Sequence, residues 1–269
     1  SALANGVSVI TGGPGTGKTT IVRCILRILT NHGMSVKLMA PTGRAAKRLS
    51  ESTGADASTI HRALMTDDEE SGGLNSDAVI VDEFSMVDVM LLSSLLEQLR
   101  DDAKLIIVGD ADQLPSVGAG NALADIISCG EIPVAKLTHI YRQDENGRII
   151  VNAHKINAGE MPDLHNTGRD FFFLRSDSAS QTADTVVGLV TERLPAFLNC
   201  DPLRIQVLCP MKSGDAGTVN LNRRLRAALL GAPTDELTVG DNTFAAGDKV
   251  MHVVNNYNLV WTRDYREGK

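Results

Sequence analysis

Residues 12 to 19 read Gly12-Gly13-Pro14-Gly15-Thr16-Gly17-Lys18-Thr19 and fit G-x-x-x-x-G-K-[ST], with Thr20 next in line. Glycines at this spacing let the backbone curl until successive N–H groups face phosphate oxygens. Lys18 can then reach the β- and γ-phosphates of ATP, and Thr19 can offer its hydroxyl to Mg2+. Gly12 through Thr20 are therefore the candidate ATP-binding residues. Asp82 and Glu83 follow an apolar run, Val79-Ile80-Val81. Nucleotide hydrolysis needs one carboxylate that holds the metal through its water shell and another that orients or deprotonates the attacking water. Asp82 is the candidate metal partner alongside Thr19, and Glu83 the candidate base. Gln113 ends the turn Gly109-Asp110-Ala111-Asp112-Gln113. A neutral amide there can sense the γ-phosphate or hold the lytic water without disturbing its charge. Arg142, in Tyr141-Arg142-Gln143, can neutralise charge on the transferring phosphoryl group. Lys18, Glu83, Gln113 and Arg142 make up the candidate catalytic set.

Each of these segments needs an element to aim it. Val7, Val9 and Ile10 predict a strand before the glycine-rich loop. Ile21, Val22, Ile25, Leu26 and Leu29 recur at helical spacing after it, so the positive end of a helix adds to the phosphate site. Asn31-His32-Gly33 reads as that helix's stop. Further apolar strands are predicted at 36–40, 78–81, 105–108 and 134–137. Helices are predicted at 44–52, 88–100 and 121–128, with another starting between 58 and 64. Near-continuous apolar strands separated by helices mean an α/β fold whose parallel sheet is covered on both faces. Ligands of such sheets sit outside the carboxyl ends of the strands, where all of these motifs fall.

The polar run Gln143-Asp144-Glu145-Asn146-Gly147 suggests a boundary, giving a first domain over 1–145 and a second over 146–269. The second begins with a short helical stretch near 149–156. It continues with strands at 171–174 and 204–209 and helices at 179–198 and 217–230.

Bulk properties narrow the class. The chain has 269 residues, 43% hydrophobic and 22% charged, which is ordinary for a globular protein with a sizeable core. No apolar run approaches the ~20 residues of a membrane span, and the N-terminus carries no export signal. Cys24, Cys129, Cys200 and Cys209 are far apart, which argues against a zinc site or a disulfide framework and for a reducing, cytoplasmic setting. The net charge of −7 does not point to nucleic-acid binding by bulk electrostatics, though a local basic groove is compatible with it. Aromatics are only 4%, so contacts to a nucleic-acid backbone fit this composition better than base stacking. The residues placed for such contacts are Pro41, Thr42, Gly43 and Arg44 after the second strand, with Thr59 and His61 further on. Their plainer alternatives are an N-cap for the helix at Arg44 and a His61 packed at a domain edge.

Taken together, the stretches 9–20, 40–46, 58–64, 79–88, 108–120 and 137–143 resemble the RecD-type superfamily 1B DNA helicases, the exodeoxyribonuclease V alpha subunit and its stand-alone relatives. The resemblance is strong over residues 1–160 and weaker beyond, in 207–212, 217–225 and 247–251. It implies a P-loop NTPase with a RecA-like parallel sheet, followed by an incomplete second RecA-like domain, with ATP between the two. It also implies single-stranded DNA as partner, 5′→3′ movement, a role in DNA recombination and repair, and other subunits of a helicase–nuclease complex as further partners. An RNA motor, or a nucleotide-dependent switch that does not translocate, are the alternative readings. The family's early glutamine stretch and its late Thr-Arg motif have no counterpart here, so the sequence is expected to be a piece cut at both ends. It should bind Mg-ATP but turn it over poorly.

Overall fold

The computed structural model describes residues 4–66, 74–138, 147–231, 236–240 and 242–251. Two compact units divide the chain, 1–172 and 173–269. The first is built on β1 (Val7–Gly12), α1 (Lys18–Asn31), β2 (Val36–Ala40), α2 (Gly43–Thr53), β3 (Ala57–Thr59), α3 (Ile60–Thr66), β4 (Ala78–Val81), α4 (Val89–Gln98), β5 (Lys104–Gly109), α5 (Ala122–Ser128), β6 (Val134–Leu137) and α6 (Arg148–Asn157).

The six strands form one sheet in the order β3-β2-β4-β5-β1-β6, and every pairing is parallel. Period-2 alternation splits the strands' side chains between two cores. Val9, Met39, Val79, Val81, Leu105 and Ile107 pack with Ile60 and Ala63 of α3, Leu95 of α4 and Leu123 of α5. Ile10, Leu38, Ile80, Ile106 and Val108 pack on the other face with Val22, Ile25, Leu26 and Leu29 of α1 and Leu49 of α2. The central strands β4 and β5 are buried on both faces, which is why they read as unbroken apolar runs. Because all strands run the same way, all six carboxyl ends lie along one edge of the sheet.

Local signals set the helix ends. Gly33, at φ 78°, follows α1, and Gly54, at φ 75°, caps α2. Asp88 Oδ1 accepts from the Leu91 N–H at 2.8 Å and starts α4. Two features were not expected. β3 is a three-residue strand that pairs only with β2 at the sheet margin. A 3-10 turn over Phe84–Met86 follows β4 and buries Phe84 completely.

The first compact unit runs past the polar stretch 143–147 to residue 172 and includes α6. Asn152, almost fully buried, exchanges two hydrogen bonds with the backbone of Asp163 at 2.8 and 2.9 Å. Arg148 bonds to Asp163, the His165 carbonyl and Thr167. Helix and returning segment are thus one piece, and both belong to the first unit.

The second unit holds α7 (Ala179–Gly188) and α8 (Leu194–Leu198), run together through a widened π turn at Leu189–Arg193, then α9 (Thr218–Leu230) and the antiparallel pair β7 (Glu236–Val239) and β8 (Asn242–Ala245). The widened turn precedes Pro195, which has no N–H to continue an ordinary ladder. Arg226 joins the hairpin to α9 through Glu236 and Asp248. The expected strands at 171–174 and 204–209 do not form.

Candidate active site

β1 delivers the glycine-rich loop at the carboxyl edge. Gly15 and Gly17 hold φ 81° and 86°, the left-handed region open to glycine, and this curls the loop onto the start of α1. No side chain caps α1 at Gly17 and its first turn carries no acid, so the helix's N-terminal donors and partial positive charge face the loop. Thr16 is buried and its hydroxyl donates to the Gly13 carbonyl at 2.8 Å. Lys18 Nζ donates to the carbonyls of Gly12 and Gly13, the latter at 3.0 Å, and so lies along the loop it would share with phosphates. Gly12 is a close-approach position. A Cβ there would meet the Leu137 carbonyl oxygen at 2.7 Å and Thr16 Oγ1 at 2.9 Å. Pro14, Thr19 and Thr20 are exposed at the mouth of the loop.

β4 delivers the acid pair. Asp82 Oδ1 accepts from the Glu83 N–H at 2.9 Å, which fixes the first carboxylate. Glu83 sits at φ 53°, ψ 39°. For a non-glycine residue this backbone state costs about 1–2 kcal/mol, and it begins the 3-10 turn that follows β4. Burial pushes both acids above the ordinary carboxylate range. For Asp82 the Glu83 N–H and then the charges of Lys18 and Arg48 oppose it. For Glu83 the negative charges of Asp82 and Asp110 add to it, while Lys18 and Arg48 oppose. Lys18, Asp82, Glu83, Asp110 and Arg48 therefore share one electrostatic neighbourhood.

β5, between β4 and β1, delivers the amide. Asp110 is 2% exposed and anchors the turn, while Gln113 is exposed at its end. Gln113 Nε2 donates to Asp110 Oδ2 at 3.3 Å. The Ala111 N–H donates to Thr11 Oγ1 at 3.3 Å, tying this turn to the strand that feeds the phosphate loop.

A family model described as "AAA domain" matches residues 1–171. The ATP-dependent RecD2 DNA helicase of Deinococcus radiodurans is 36% identical over 255 residues, covering 93% of this chain and 34% of that protein. The RecBCD enzyme subunit RecD of Mycolicibacterium smegmatis is 31% identical over 301 residues, covering 96% and 53%. Its counterpart in Mycobacterium tuberculosis is 32% identical over 271 residues, covering 85% and 47%. The chain belongs to the RecD-type helicase family. It spans about a third to a half of the length of these relatives. A P-loop domain of this family implies nucleotide binding.

Within the RecD-type frame, the sheet order brings Lys18, Asp82, Glu83 and Gln113 to adjacent strand ends, β1, β4 and β5. Arg142 lies outside the described residues, as do its neighbours Tyr141 and Gln143. Among the described residues no group of three or more His, Cys, Asp or Glu gathers as a metal nest. A magnesium held with a nucleotide takes one or two protein oxygens, several waters and the phosphates. The exposed Thr19 hydroxyl and the half-buried Asp82 carboxylate are hard oxygen donors of the right kind.

The candidates for a nucleic-acid backbone divide. Thr42 Oγ1 accepts from the Ala45 N–H at 3.3 Å and caps α2, and Thr59 Oγ1 accepts from the Arg62 N–H at 3.2 Å at the start of α3. Both hydroxyls thus have local structural work. Gly43, Arg44 and His61 are exposed and Pro41 is half-buried; His61 is not packed into a core. All six belong to the ends of β2 and β3, on the same edge as the acids. Two residues escaped sequence reasoning. Arg48 sits one helical turn beyond Arg44 on α2, so the i, i+4 spacing could have flagged it. Asp110 read as an ordinary turn acid, and only its burial sets it apart.

Proposed function

We propose that this chain is the ATP-hydrolysing part of a DNA helicase motor that moves along single-stranded DNA in recombination and repair. The observation that carries this reading is the meeting of phosphate loop, acid pair and amide on one sheet edge, shared with the exposed ends of β2 and β3. ATP would lay its phosphates against the 12–20 loop, with Lys18 released from the Gly12 and Gly13 carbonyls to the outer phosphates. Thr19 and Asp82 would hold Mg2+, which when bound neutralises charge on the phosphates. Glu83 would take a proton from the attacking water. Its raised proton affinity makes it a stronger base than an exposed carboxylate. Arg142 is proposed to complete the charge stabilisation. Gly43, Arg44 and His61 would contact the DNA backbone.

Residues 173–269, the larger part of the expected second domain 146–269, are proposed to supply part of a second RecA-like domain. The 5′→3′ direction, a cytoplasmic setting and association with subunits of a helicase–nuclease complex rest on likeness to the RecD relatives. No helix among the described residues is long and apolar enough to cross a membrane. The test is steady-state ATPase of the complete gene product with single-stranded DNA, single-stranded RNA or neither, across a range of salt. Stimulation by DNA that weakens as salt rises is expected. Equal or greater stimulation by RNA would make it an RNA motor. Hydrolysis indifferent to both would make it a nucleotide switch.

A further inference from the structure

We propose that Arg48 is a positioning residue that holds the Glu83 carboxylate off the nucleotide until a nucleic-acid phosphate draws its guanidinium to the start of α2. This rests on the motor reading above, and it makes hydrolysis wait for the strand.

The sheet puts Arg48 within reach of the acids. Met39 of β2 lies beside Val81 of β4, and the Asp82 N–H donates to the Met39 carbonyl at 2.9 Å. The acid pair therefore leaves the sheet beside the point where β2 hands over to α2. That helix buries Ala46 and Leu49, which leaves Arg44 and Arg48 exposed on successive turns. Their Cβ atoms are about 6 Å apart at this spacing. Helical side chains lean toward their helix's N-terminus, so Arg48 leans back toward the carboxyl edge. Its charge reaches both Asp82 and Glu83, where it opposes the effect of burial.

The strand order sets the direction of the pull. β4 stands between β2 on one side and β5 and β1 on the other. The acid pair thus has one cation from the phosphate-loop side, Lys18, and one from the opposite side, Arg48. Lys18 is bonded to the loop carbonyls and is needed by the outer phosphates. Arg48 is uncommitted: among the described residues its side chain has no ion pair or hydrogen bond, whereas neighbouring Lys47 pairs with Glu51 at 3.9 Å. The Glu83 carboxylate is likewise without a hydrogen bond among the described residues. With no strand bound, attraction to Arg48 draws this carboxylate toward α2 and away from the nucleotide. A strand phosphate at the start of α2 meets the helix's N-terminal donors and the exposed Arg44. It also offers Arg48 a bidentate anion one turn away. Arg48 exchanges one anion for the other, and Glu83 is free to reach the attacking water.

The experiment uses the complete gene product and reads kcat and KM for ATP with and without single-stranded DNA. Arg48→Gln should raise the DNA-free kcat about fivefold, the size of one partly exposed ion pair. Its kcat in saturating DNA and its KM for ATP should stay within about twofold of wild type, so the stimulation shrinks by the factor gained. Arg48→Lys keeps the charge and should keep the DNA-free rate low. Lys47→Gln removes the adjacent charge and should change neither rate.

A DNA-free kcat of Arg48→Gln at or below the wild-type value overturns the proposal. A rise in its KM for ATP beyond about threefold also overturns it, by making Arg48 a ligand of the nucleotide. An equal gain in Lys47→Gln does so too, since the effect would then be one of bulk charge. Wild type whose hydrolysis is indifferent to nucleic acid refutes the motor reading and this release with it. Wild type that DNA stimulates, with no gain in Arg48→Gln, refutes the role of Arg48 alone.

Discussion

Gly12 and Gly13 are adjacent glycines in one loop, yet the structure gives them opposite tolerances. An added Cβ at Gly12 meets the Leu137 carbonyl oxygen at 2.7 Å, Leu137 Cβ at 2.9 Å and Thr16 Oγ1 at 2.9 Å. None of these can step aside freely. Leu137 is locked in β6 by its pairing with Gly12 itself, and the Thr16 hydroxyl is bonded to the Gly13 carbonyl. Ordinary van der Waals contact begins near 3.4 Å, so β6 or the loop must move by several tenths of an ångström. Overpacking of this kind costs about 1–3 kcal/mol. For a unit of this size each kcal/mol lowers the melting temperature by about 2–4 °C, so Gly12→Ala should melt roughly 2–12 °C below wild type. The loop shift should also weaken nucleotide binding by about tenfold, or 1.4 kcal/mol. At Gly13 nothing lies within 4 Å of the same Cβ and φ is not left-handed. Gly13→Ala should stay within about 0.5 kcal/mol of wild type. Thermal melts followed by circular dichroism, with and without ATP, decide the matter. A Gly12→Ala melt within a degree of wild type, or an equal fall for Gly13→Ala, would refute the close-approach argument.

Lys18→Ala should weaken ATP binding at least tenfold, since a charge-assisted phosphate contact is worth about 1.5–3 kcal/mol; unchanged affinity in a fluorescent-nucleotide titration removes Lys18 from the site. Glu83→Gln should abolish turnover yet stabilise the fold at neutral pH. The native state binds the Glu83 proton more tightly than the unfolded chain does, so the charge is a penalty that is complete above the raised range. The penalty disappears as pH falls below the ordinary carboxylate range, and urea melts of variant and wild type should converge there; a stability gap that widens in acid contradicts this sign. Thr42→Ala should cost about 0.5–1 kcal/mol through the lost α2 cap. If it also weakens single-stranded DNA binding in filter assays, Thr42 joins the nucleic-acid contacts, and unchanged binding leaves it a cap only.

The first unit was largely legible because its strands are buried on both faces, so apolar runs such as Val79-Ile80-Val81 announce them directly. Helix ends were legible where a residue has a local job, as Asp88 and Gly54 do. What could not be read depends on tertiary context. Ala57-Ser58-Thr59 has neither length nor alternation, and it is a strand only because β2 offers an edge. The left-handed state of Glu83, next to the fully buried Phe84, is not one that glutamate's own preference announces. At the site, residue types gave the roles, but the pairing of Gln113 with Asp110 needed the fold of the turn.

The sheet's two margins have a consequence for how this chain survives its own synthesis. Parallel strands must wait for distant segments before they can pair, so partly formed sheets of this kind linger with open hydrogen-bonding rows. Here the outermost strands are the stubby ones, β3 with three residues and β6 with four, and β6 turns Lys136 outward. A second molecule meeting either rim finds too short a row to zip onto, and at one rim a charge as well. The most apolar strands, β4 and β5, are held in the middle, where only their own neighbours can reach them.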